Sequence, residues 1–213
     1  MGGGAVESAL REGGRQPGLK LIETVFWDGA RAPRWSLHLA RLTRSAARLG
    51  WDHPEPPAPR SGGAPVRLRL TLDAQGGTVW EEHPLPAAKP EWRVTLATTR
   101  LSPDDPWLSV KSTRRAVHDT ARAALPAGID EAIFLNPRGE VCEGTITTVF
   151  FDRGQGLRTP PLACGLLPGV LRAELGCPEE ILLAEDLPQV RLWVGNALRG
   201  LIPAVLIPEC GAG

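Results

Sequence analysis

The sequence contains no tyrosine, a single methionine and few lysines. The lysines are Lys20, Lys89 and Lys111, so chemistry that depends on a side-chain amine has few candidates. The formal net charge is zero, which gives no electrostatic basis for binding nucleic acid or an acidic membrane. No apolar run approaches the roughly 18 residues of a membrane-spanning helix, and the first residues lack the apolar segment of a signal peptide.

Metal and disulfide sites are not indicated by the cysteines. Cys142, Cys164, Cys177 and Cys210 show neither Cys-x-x-Cys spacing nor the cysteine–histidine pattern of zinc sites. Their number in a chain of this length is also unlike the disulfide framework of small secreted domains. We therefore expect a cytoplasmic protein without a bound metal. Gly-x-Ser-x-Gly, Gly-x-Gly-x-x-Gly and phosphate-loop motifs are absent as well.

The first half of the chain predicts strands around one helix. Residues 19–29 read as a strand that ends in an Asp-Gly turn, and the leucine spacing that follows predicts a helix from Ser36, its expected N-cap, to Gly50. The Pro/Gly cluster at 52–65 predicts a loop. Strands are expected at 66–72, 77–83 and 91–99, whereas residues 2–18 are expected to form a mobile lead-in or a degraded strand.

The second half predicts a different succession of elements. Its expected features are a linker at 101–110, a helix at 113–125, strands at 131–136 and 141–151, a helix opening near Gly169, and short strands at 179–187, 191–196 and 203–208. Together these elements indicate a two-lobed α+β protein. We expect a small lobe at 1–100, an interdomain linker at 101–110 and a larger lobe at 111–213.

Four separated blocks resemble class IV aminotransferases and stand in the order found in that family. They are HLARLTRSAARLG, VKSTRR, DEAIFLNPRGEVCEGTITTVFF with TPPLACGLLPGVLR, and VGNALRGLIPAV. The resemblance covers about residues 19–208. It implies the fold of D-amino-acid-aminotransferase-like enzymes, with a small N-terminal α/β lobe and a larger lobe with a barrel-like sheet. It further implies pyridoxal 5'-phosphate as cofactor, a small-molecule substrate and a homodimer.

The resemblance also implies roles for individual residues. Lys111 matches the lysine that bonds to the cofactor, Glu143 matches the carboxylate beside its pyridine nitrogen, and Arg41 matches an arginine that reaches its phosphate. The remaining expected contacts are the backbone N–H groups of Val170 and Leu171 at the phosphate, and Thr147 and Asn196 at the substrate.

The same residues taken one by one allow simpler interpretations. Lys111 could be exposed at a helix start, Arg41 could face solvent, Glu143 could be an ordinary strand residue and Asn196 a turn residue; His38 is expected to be structural. The sequence departs from the family pattern at Thr148, where Asn is usual, at Leu171, where Thr is frequent, and at His118, where members with a Lys-Thr-x-x-Arg motif have Tyr.

The absence of tyrosine and the NALRG turn favour the lyase branch of the family over its transaminases. Lyases of this branch convert 4-amino-4-deoxychorismate to 4-aminobenzoate and pyruvate, a step towards folate. The alternatives are a branched-chain or D-amino-acid transaminase, or a cofactor-free relic of the fold that acts as a binding or structural protein. Trp80, Trp92 and Trp107 are candidates for a dimer interface or for the core of the small lobe.

Overall fold

The computed structural model of the chain describes residues 3–52, 55–60 and 62–208. It divides into two compact units, each with its own hydrophobic core. The first unit comprises Met1–Ala87 and Pro106–Arg114, and the second comprises Ala88–Asp105 and Arg115–Gly213. Within the described part, no helix is long and apolar enough to cross a membrane.

The first unit is built on a three-stranded antiparallel sheet with the order β1-β2-β3. Its strands are Lys20–Trp27 (β1), Val66–Asp73 (β2) and Thr78–His83 (β3). The apolar–basic alternation of β2 buries Leu68, Leu70 and Leu72, which confirms the predicted half-exposed strand.

Helix α2, Trp35–Leu49, packs its apolar face into the core of this unit. Leu42, Ala46 and Leu49 are buried there, as their helical spacing predicts. The helix ends at Gly50, whose left-handed conformation (φ 72°) allows the predicted C-terminal stop. At the other end the prediction of a Ser36 cap was wrong, because Arg34 occupies the N-cap position without a side-chain hydrogen bond.

The N-terminal segment is a helix rather than a mobile lead-in or a degraded strand. Helix α1 spans Gly3–Gly13, and Leu10 is fully buried in the core of the first unit. Glycine is a poor helix former, so the composition concealed this element, which tertiary packing supports. The helix ends in Gly13, where a larger residue would not fit, because a Cβ at this position would lie 2.3 Å from the Trp107 ring.

The second unit is a closed six-stranded barrel with the order β4-β5-β6-β7-β8-β9. The strands are Trp92–Arg100, Glu131–Leu135, Val141–Gly144, Thr148–Asp152, Arg191–Asn196 and Gly200–Leu206. Strand β4 pairs in parallel with β5 and β9, and the other pairs are antiparallel. Apolar side chains from all six strands fill the interior, so the barrel is a packed core.

Short helices lie between the barrel strands. Helix α3, Ala116–Ala123, is shorter than predicted, and α4, Val170–Leu175, opens next to Gly169 as predicted. The expected strand at 141–151 is two strands, β6 and β7, separated by a turn at 145–147. The expected strand at 179–187 was largely wrong, because Ala184–Gln189 is a 3₁₀ helix that contains Pro188.

The division into units differs from the boundaries expected at residues 100 and 110. Strand β4 belongs to the second unit because it closes the barrel between β5 and β9. Residues 106–114 belong to the first unit, where Ser112 bridges to Leu21 of β1. Neither pairing is local in sequence, so hydrophobic alternation carries no signal for it.

Candidate active site

The segment around Lys111 is attached to the edge of β1. The carbonyl oxygen of Lys111 accepts a hydrogen bond from the Ile22 N–H at 2.9 Å, and the Thr113 N–H donates to the Lys20 carbonyl at 2.8 Å. The bridge between Leu21 and Ser112 is antiparallel. These bonds fix the backbone on both sides of Lys111, whose side chain is half-buried. The point from which the Lys111 side chain leaves the backbone is therefore fixed.

The other lysines have different surroundings. Lys89 forms an ion pair with Asp130 at 2.5 Å, and its side chain is 56% exposed. Lys20 begins β1, where its N–H donates to Thr113 Oγ1 at 3.0 Å. Lys89 is therefore the exposed, ion-paired lysine, whereas Lys20 and Lys111 are both half-buried and have hydrogen-bonded backbones.

Arg41 lies in the interior of the first unit against Glu23. Its Nε atom donates to Glu23 Oε1 at 2.8 Å and its Nη2 atom to Oε2 at 2.5 Å. His38 Nδ1 lies 2.7 Å from the same Oε2 atom. Burial alone would raise the pKa of Glu23, but the charge of Arg41 and the hydrogen bonds from Arg41 and His38 outweigh it and lower the pKa to about 2.

The cluster of Glu23, His38 and Arg41 bears on the roles expected for the two α2 residues, His38 and Arg41. Arg41 is buried rather than solvent-facing, and much of its hydrogen-bonding capacity is used by Glu23, a residue that the sequence did not single out. His38 contacts Glu23 as a structural residue would, and its Nε2 atom is buried without a partner among the described residues. A contact between Arg41 and a phosphate remains a prediction.

Glu143, one of the expected site residues, belongs to a row of residues that crosses neighbouring barrel strands. Glu143 on β6 is opposite Thr148 on β7, which is opposite Gly195 on β8. Thr148 alternates with Val149, whose side chain is part of the barrel interior. The row containing Thr148 therefore lies on the outer face of the barrel, where it meets α4.

Glu143 is nearly buried and both of its carboxylate oxygens have partners. Its Oε1 atom is 2.9 Å from His118 Nε2, and its Oε2 atom accepts the Leu167 N–H at 3.1 Å. The His118 ring packs edge-on against Phe134, with centroids 5.0 Å apart and planes at 62°. Glu143 is therefore not a solvent-facing strand residue, and the surrounding groups restrict where its carboxylate can point.

The turn at 145–147 is organised by Glu131, a residue that no sequence motif singled out. Its Oε1 atom accepts the Thr145 N–H at 2.9 Å, and its Oε2 atom accepts the Ile146 N–H at 3.2 Å and the Thr147 hydroxyl at 2.9 Å. Thr145 also donates its hydroxyl to Oε1. Glu131 is fully buried. The hydroxyl of Thr147 is thus engaged with Glu131, and its contact with a substrate remains a prediction.

Asn196 joins the β8–β9 turn to the same segment. Its Nδ2 atom donates to the Ile146 carbonyl at 3.2 Å. Its Oδ1 atom accepts the N–H groups of Leu198 at 3.1 Å and Arg199 at 3.0 Å. Asn196 is therefore a turn residue that also ties two loops together, and the proposed substrate contact is in addition to these bonds.

Helix α4 packs closely on the barrel row that contains Thr148 and Gly195. A Cβ on Gly169 would lie 2.6 Å from Thr148 Oγ1, and a Cβ on Gly195 would lie 2.7 Å from Leu171 Cδ2. Gly169 provides no side-chain cap, and the first N–H groups of a helix have no partner within it. The N–H groups of Val170 and Leu171 are thus candidate donors, although α4 is only six residues long.

The thiols nearest to Glu143 are not candidates for nucleophiles. Cys142 and Cys164 are free and buried, and burial raises the pKa of each thiol to about 12. Cys177 is also free, and Cys210 lies outside the described residues.

The family model for amino-transferase class IV matches residues 20–207. The chain belongs to this family. Aminodeoxychorismate lyase of Bacillus subtilis (strain 168) is 32% identical over a 98-residue alignment that covers 39% of this chain and 32% of that lyase. The chain thus spans about a third of the length of this curated relative.

Solved structures extend the comparison over most of the chain. A protein of Mesorhizobium loti, provisionally assigned as an amino-acid aminotransferase, is 40% identical, with a TM-score of 0.82 over 89% of this chain and 100% of that chain. A hypothetical aminotransferase of Mycobacterium tuberculosis in its PLP-bound form is 26% identical, with a TM-score of 0.72 over 88% of this chain and 81% of that chain. The two-lobed α+β fold with a closed barrel is that of the family.

The side chains present fit the cofactor on which this family depends. Pyridoxal phosphate requires an amine, an acid for its pyridine nitrogen and donors for its phosphate. Lys111 has the amine on a fixed backbone, and Glu143 is a nearly buried carboxylate whose partners are N–H groups. The uncapped start of α4 supplies further N–H donors. The chemistry of this donor set matches the cofactor.

Proposed function

We propose that the chain is a pyridoxal-phosphate-dependent lyase that converts 4-amino-4-deoxychorismate to 4-aminobenzoate and pyruvate. The observation that carries the proposal is Glu143, a nearly buried carboxylate held by two N–H groups, which matches in sequence the carboxylate that the family places beside the cofactor. The lyase relative in Bacillus subtilis and the complete absence of tyrosine support this branch over the transaminases.

Lys111 is the proposed catalytic residue. When bound, pyridoxal phosphate supplies an electron sink for the charge left after a proton is removed from the amine-bearing carbon. Lys111 accepts that proton at Nζ and returns it to the departing three-carbon group, so one amine serves as base and then as acid. The carbon–oxygen bond to that group breaks, pyruvate leaves, and the remaining ring becomes aromatic.

The other proposed site residues bind and orient the cofactor and the substrate. Glu143 would lie beside the pyridine nitrogen of the cofactor, where a carboxylate would keep that nitrogen protonated. Arg41 and the backbone N–H groups of Val170 and Leu171 bind the phosphate. Thr147 and Asn196 contact the substrate from the loops that Glu131 and Ile146 hold in place.

Transamination is the second candidate function. It is supported by the 40% identity to the Mesorhizobium loti protein, which is provisionally assigned as an amino-acid aminotransferase. Both reactions begin with removal of a proton from an amine-bearing carbon, so the same Lys111 and Glu143 serve either one. They differ in the bond that breaks next.

Product analysis separates these functions. The purified, cofactor-loaded protein is incubated with 4-amino-4-deoxychorismate, and 4-aminobenzoate and pyruvate are quantified. Branched-chain and D-amino acids with 2-oxoglutarate form the parallel assay, and Lys111→Ala is the inactive control. Equimolar 4-aminobenzoate and pyruvate support the lyase, whereas glutamate formation alone replaces it with a transaminase. A protein that binds no cofactor and turns over neither substrate set contradicts both functions and leaves the cofactor-free relic.

A further inference from the structure

Helix α3 is attached to the barrel mainly through polar side chains. None of its residues is buried, yet Arg115 at its N-cap donates to the Thr145 carbonyl at 3.0 Å and Arg122 donates to Thr145 Oγ1 at 3.2 Å. His118 lies between them, and the spacing i, i+3, i+7 places the three residues on one helix face. His118 is therefore the middle contact of the face that α3 turns towards the barrel.

The His118 ring is held on two sides. Its edge-on contact with Phe134, which is fully buried, restricts the plane of the imidazole. Its Nε2 atom lies 2.9 Å from Glu143 Oε1, and the two side chains are 14% and 9% exposed. A neutral imidazole in this contact carries its proton on Nε2, and this N–H group donates a hydrogen bond to the carboxylate.

Glu143 thus has one N–H partner on each oxygen. His118 reaches Oε1 from α3, and the Leu167 N–H reaches Oε2 from the loop before α4. Two donors on opposite oxygens restrict rotation of the carboxylate about its last bond. Of these two hydrogen bonds, the loss of His118 would leave Glu143 with the one from the Leu167 N–H.

We propose that His118 is a positioning residue that keeps the carboxylate of Glu143 directed at the pyridine nitrogen of the cofactor. This inference rests on the cofactor role proposed for Glu143. His118 does not touch the reacting atoms; it acts on them through the carboxylate. Its loss therefore affects the protonation of the pyridine nitrogen more than the binding of the substrate.

The test compares three variants reconstituted with pyridoxal phosphate that carries ¹⁵N in its ring. His118→Phe keeps the ring contact with Phe134 but removes the donor, His118→Gln restores an N–H donor, and Thr120→Ala changes an exposed residue of the same helix. Nitrogen NMR reports the protonation of the ring directly. We expect the His118→Phe resonance to move towards the unprotonated form, with His118→Gln and Thr120→Ala close to the parent protein.

Steady-state kinetics provide the second readout. We expect kcat to fall about 10-fold to 100-fold in His118→Phe, with KM little changed and most of the loss recovered in His118→Gln. Thermal unfolding of the cofactor-free variants checks their folding. If His118→Phe does not fold, His118→Asn replaces it, because its shorter side chain carries an amide that falls short of Glu143.

The outcomes separate this inference from the proposed function. Unchanged ring protonation and unchanged kcat in a folded His118→Phe variant overturn the role of His118, whatever Glu143 does. The function itself fails if Lys111 in the parent protein forms no bond to the cofactor. The role proposed for Glu143 fails if Glu143→Gln leaves the resonance of the ring nitrogen unchanged. An effect in Glu143→Gln but none in His118→Phe contradicts the inference and leaves the function intact.

Discussion

Glu23 and Arg41 form an ion pair in the interior of the first unit, joined by two hydrogen bonds of 2.8 and 2.5 Å. Glu23 comes from β1 and Arg41 from α2, so the pair connects the sheet to the helix that covers it. A buried charge is costly unless it is matched, and here each partner matches the other. The pair therefore has a structural role whether or not Arg41 also reaches a phosphate.

The first prediction concerns stability in acid. Because the pKa of Glu23 is lowered from 4.5 to about 2, its ionisation stabilises the folded state above pH 4.5, and this stabilisation is lost as the pH falls towards 2. The shift corresponds to about 3 kcal/mol at neutral pH. We expect Glu23→Gln to unfold at a lower temperature than the parent protein at pH 7, and this difference to narrow between pH 4.5 and 2. Glu12→Gln, an exposed change in the same unit, should show no such pattern; a constant difference at every pH would contradict the prediction.

The second prediction concerns the lysine that bonds to the cofactor. Lys111→Ala should abolish both the visible absorbance of the bound cofactor and the activity, since Lys89 is paired with Asp130 and Lys20 lies in β1. Borohydride reduction followed by peptide mapping should find the label on Lys111. Lys89→Arg, which preserves the charge at Asp130, is the control and should retain the label. A label on Lys20 or Lys89 in the parent protein would overturn the assignment.

The local elements were predictable where local pattern determines structure. The leucine spacing of α2 and the alternation of β2 depend on residues close in sequence, and both were correct. Helix α1 was missed because its glycines mask an element that is held by packing on residues such as Trp107. The parallel pairing of β4 with β9 joins distant segments, and no local period reports it.

The candidate site was predictable only as a set of residue types. The family blocks indicated Lys111, Glu143 and Arg41, but not the partners that hold them. Glu131 stands at the start of the DEAIFLN block, and nothing in its position showed that it would receive the N–H and hydroxyl groups of a turn. Glu23 was likewise hidden in an apolar strand, since a buried carboxylate is recognised only when its partner on another element is known.

The third prediction tests the phosphate role of Arg41 apart from its structural one. Arg41→Lys keeps the charge but loses the two-pronged geometry of the guanidinium. If Arg41 binds the phosphate, affinity for pyridoxal phosphate should fall about 10-fold while affinity for pyridoxal, which has no phosphate, should be little changed. Tryptophan fluorescence of the cofactor-free protein measures both affinities. A parallel fall for the two ligands would show that Arg41 acts only through the fold.

The fourth prediction concerns Glu131. Its removal in Glu131→Ala leaves the buried N–H and hydroxyl groups of the 145–147 turn without their acceptor, which should cost about 3 kcal/mol or more. Denaturant unfolding measures this loss. Glu185→Ala, an exposed change in the same unit, should cost less than about 0.5 kcal/mol. Equal stability of the two variants would show that the contacts of Glu131 contribute little.

Two of the three tryptophans considered for a dimer interface are buried in the cores of the two units, and the third, Trp80, is half-buried against the core of the first unit. Trp92 packs in the barrel, Trp107 is buried in the first unit, and Trp80 packs against that core and against Trp35, 5.6 Å away between ring centroids. They therefore give no support to a dimer. The edge strand β3 is a better candidate surface, because Val79 is 52% exposed on it.

The last prediction is that the cofactor-loaded protein is a homodimer that involves this edge. Sedimentation at low micromolar concentration should give a species of twice the chain mass of 22.9 kDa. Val79→Lys places a charge on the edge of β3 and should shift the equilibrium towards the monomer, because charged side chains on edge strands oppose pairing between chains. Ile181→Lys introduces the same charge at a residue of the second unit that is 50% exposed, and should leave the dimer unchanged. A single species near 22.9 kDa for the parent protein would exclude the dimer. A dimer that tolerates Val79→Lys as well as Ile181→Lys would place the interface away from β3.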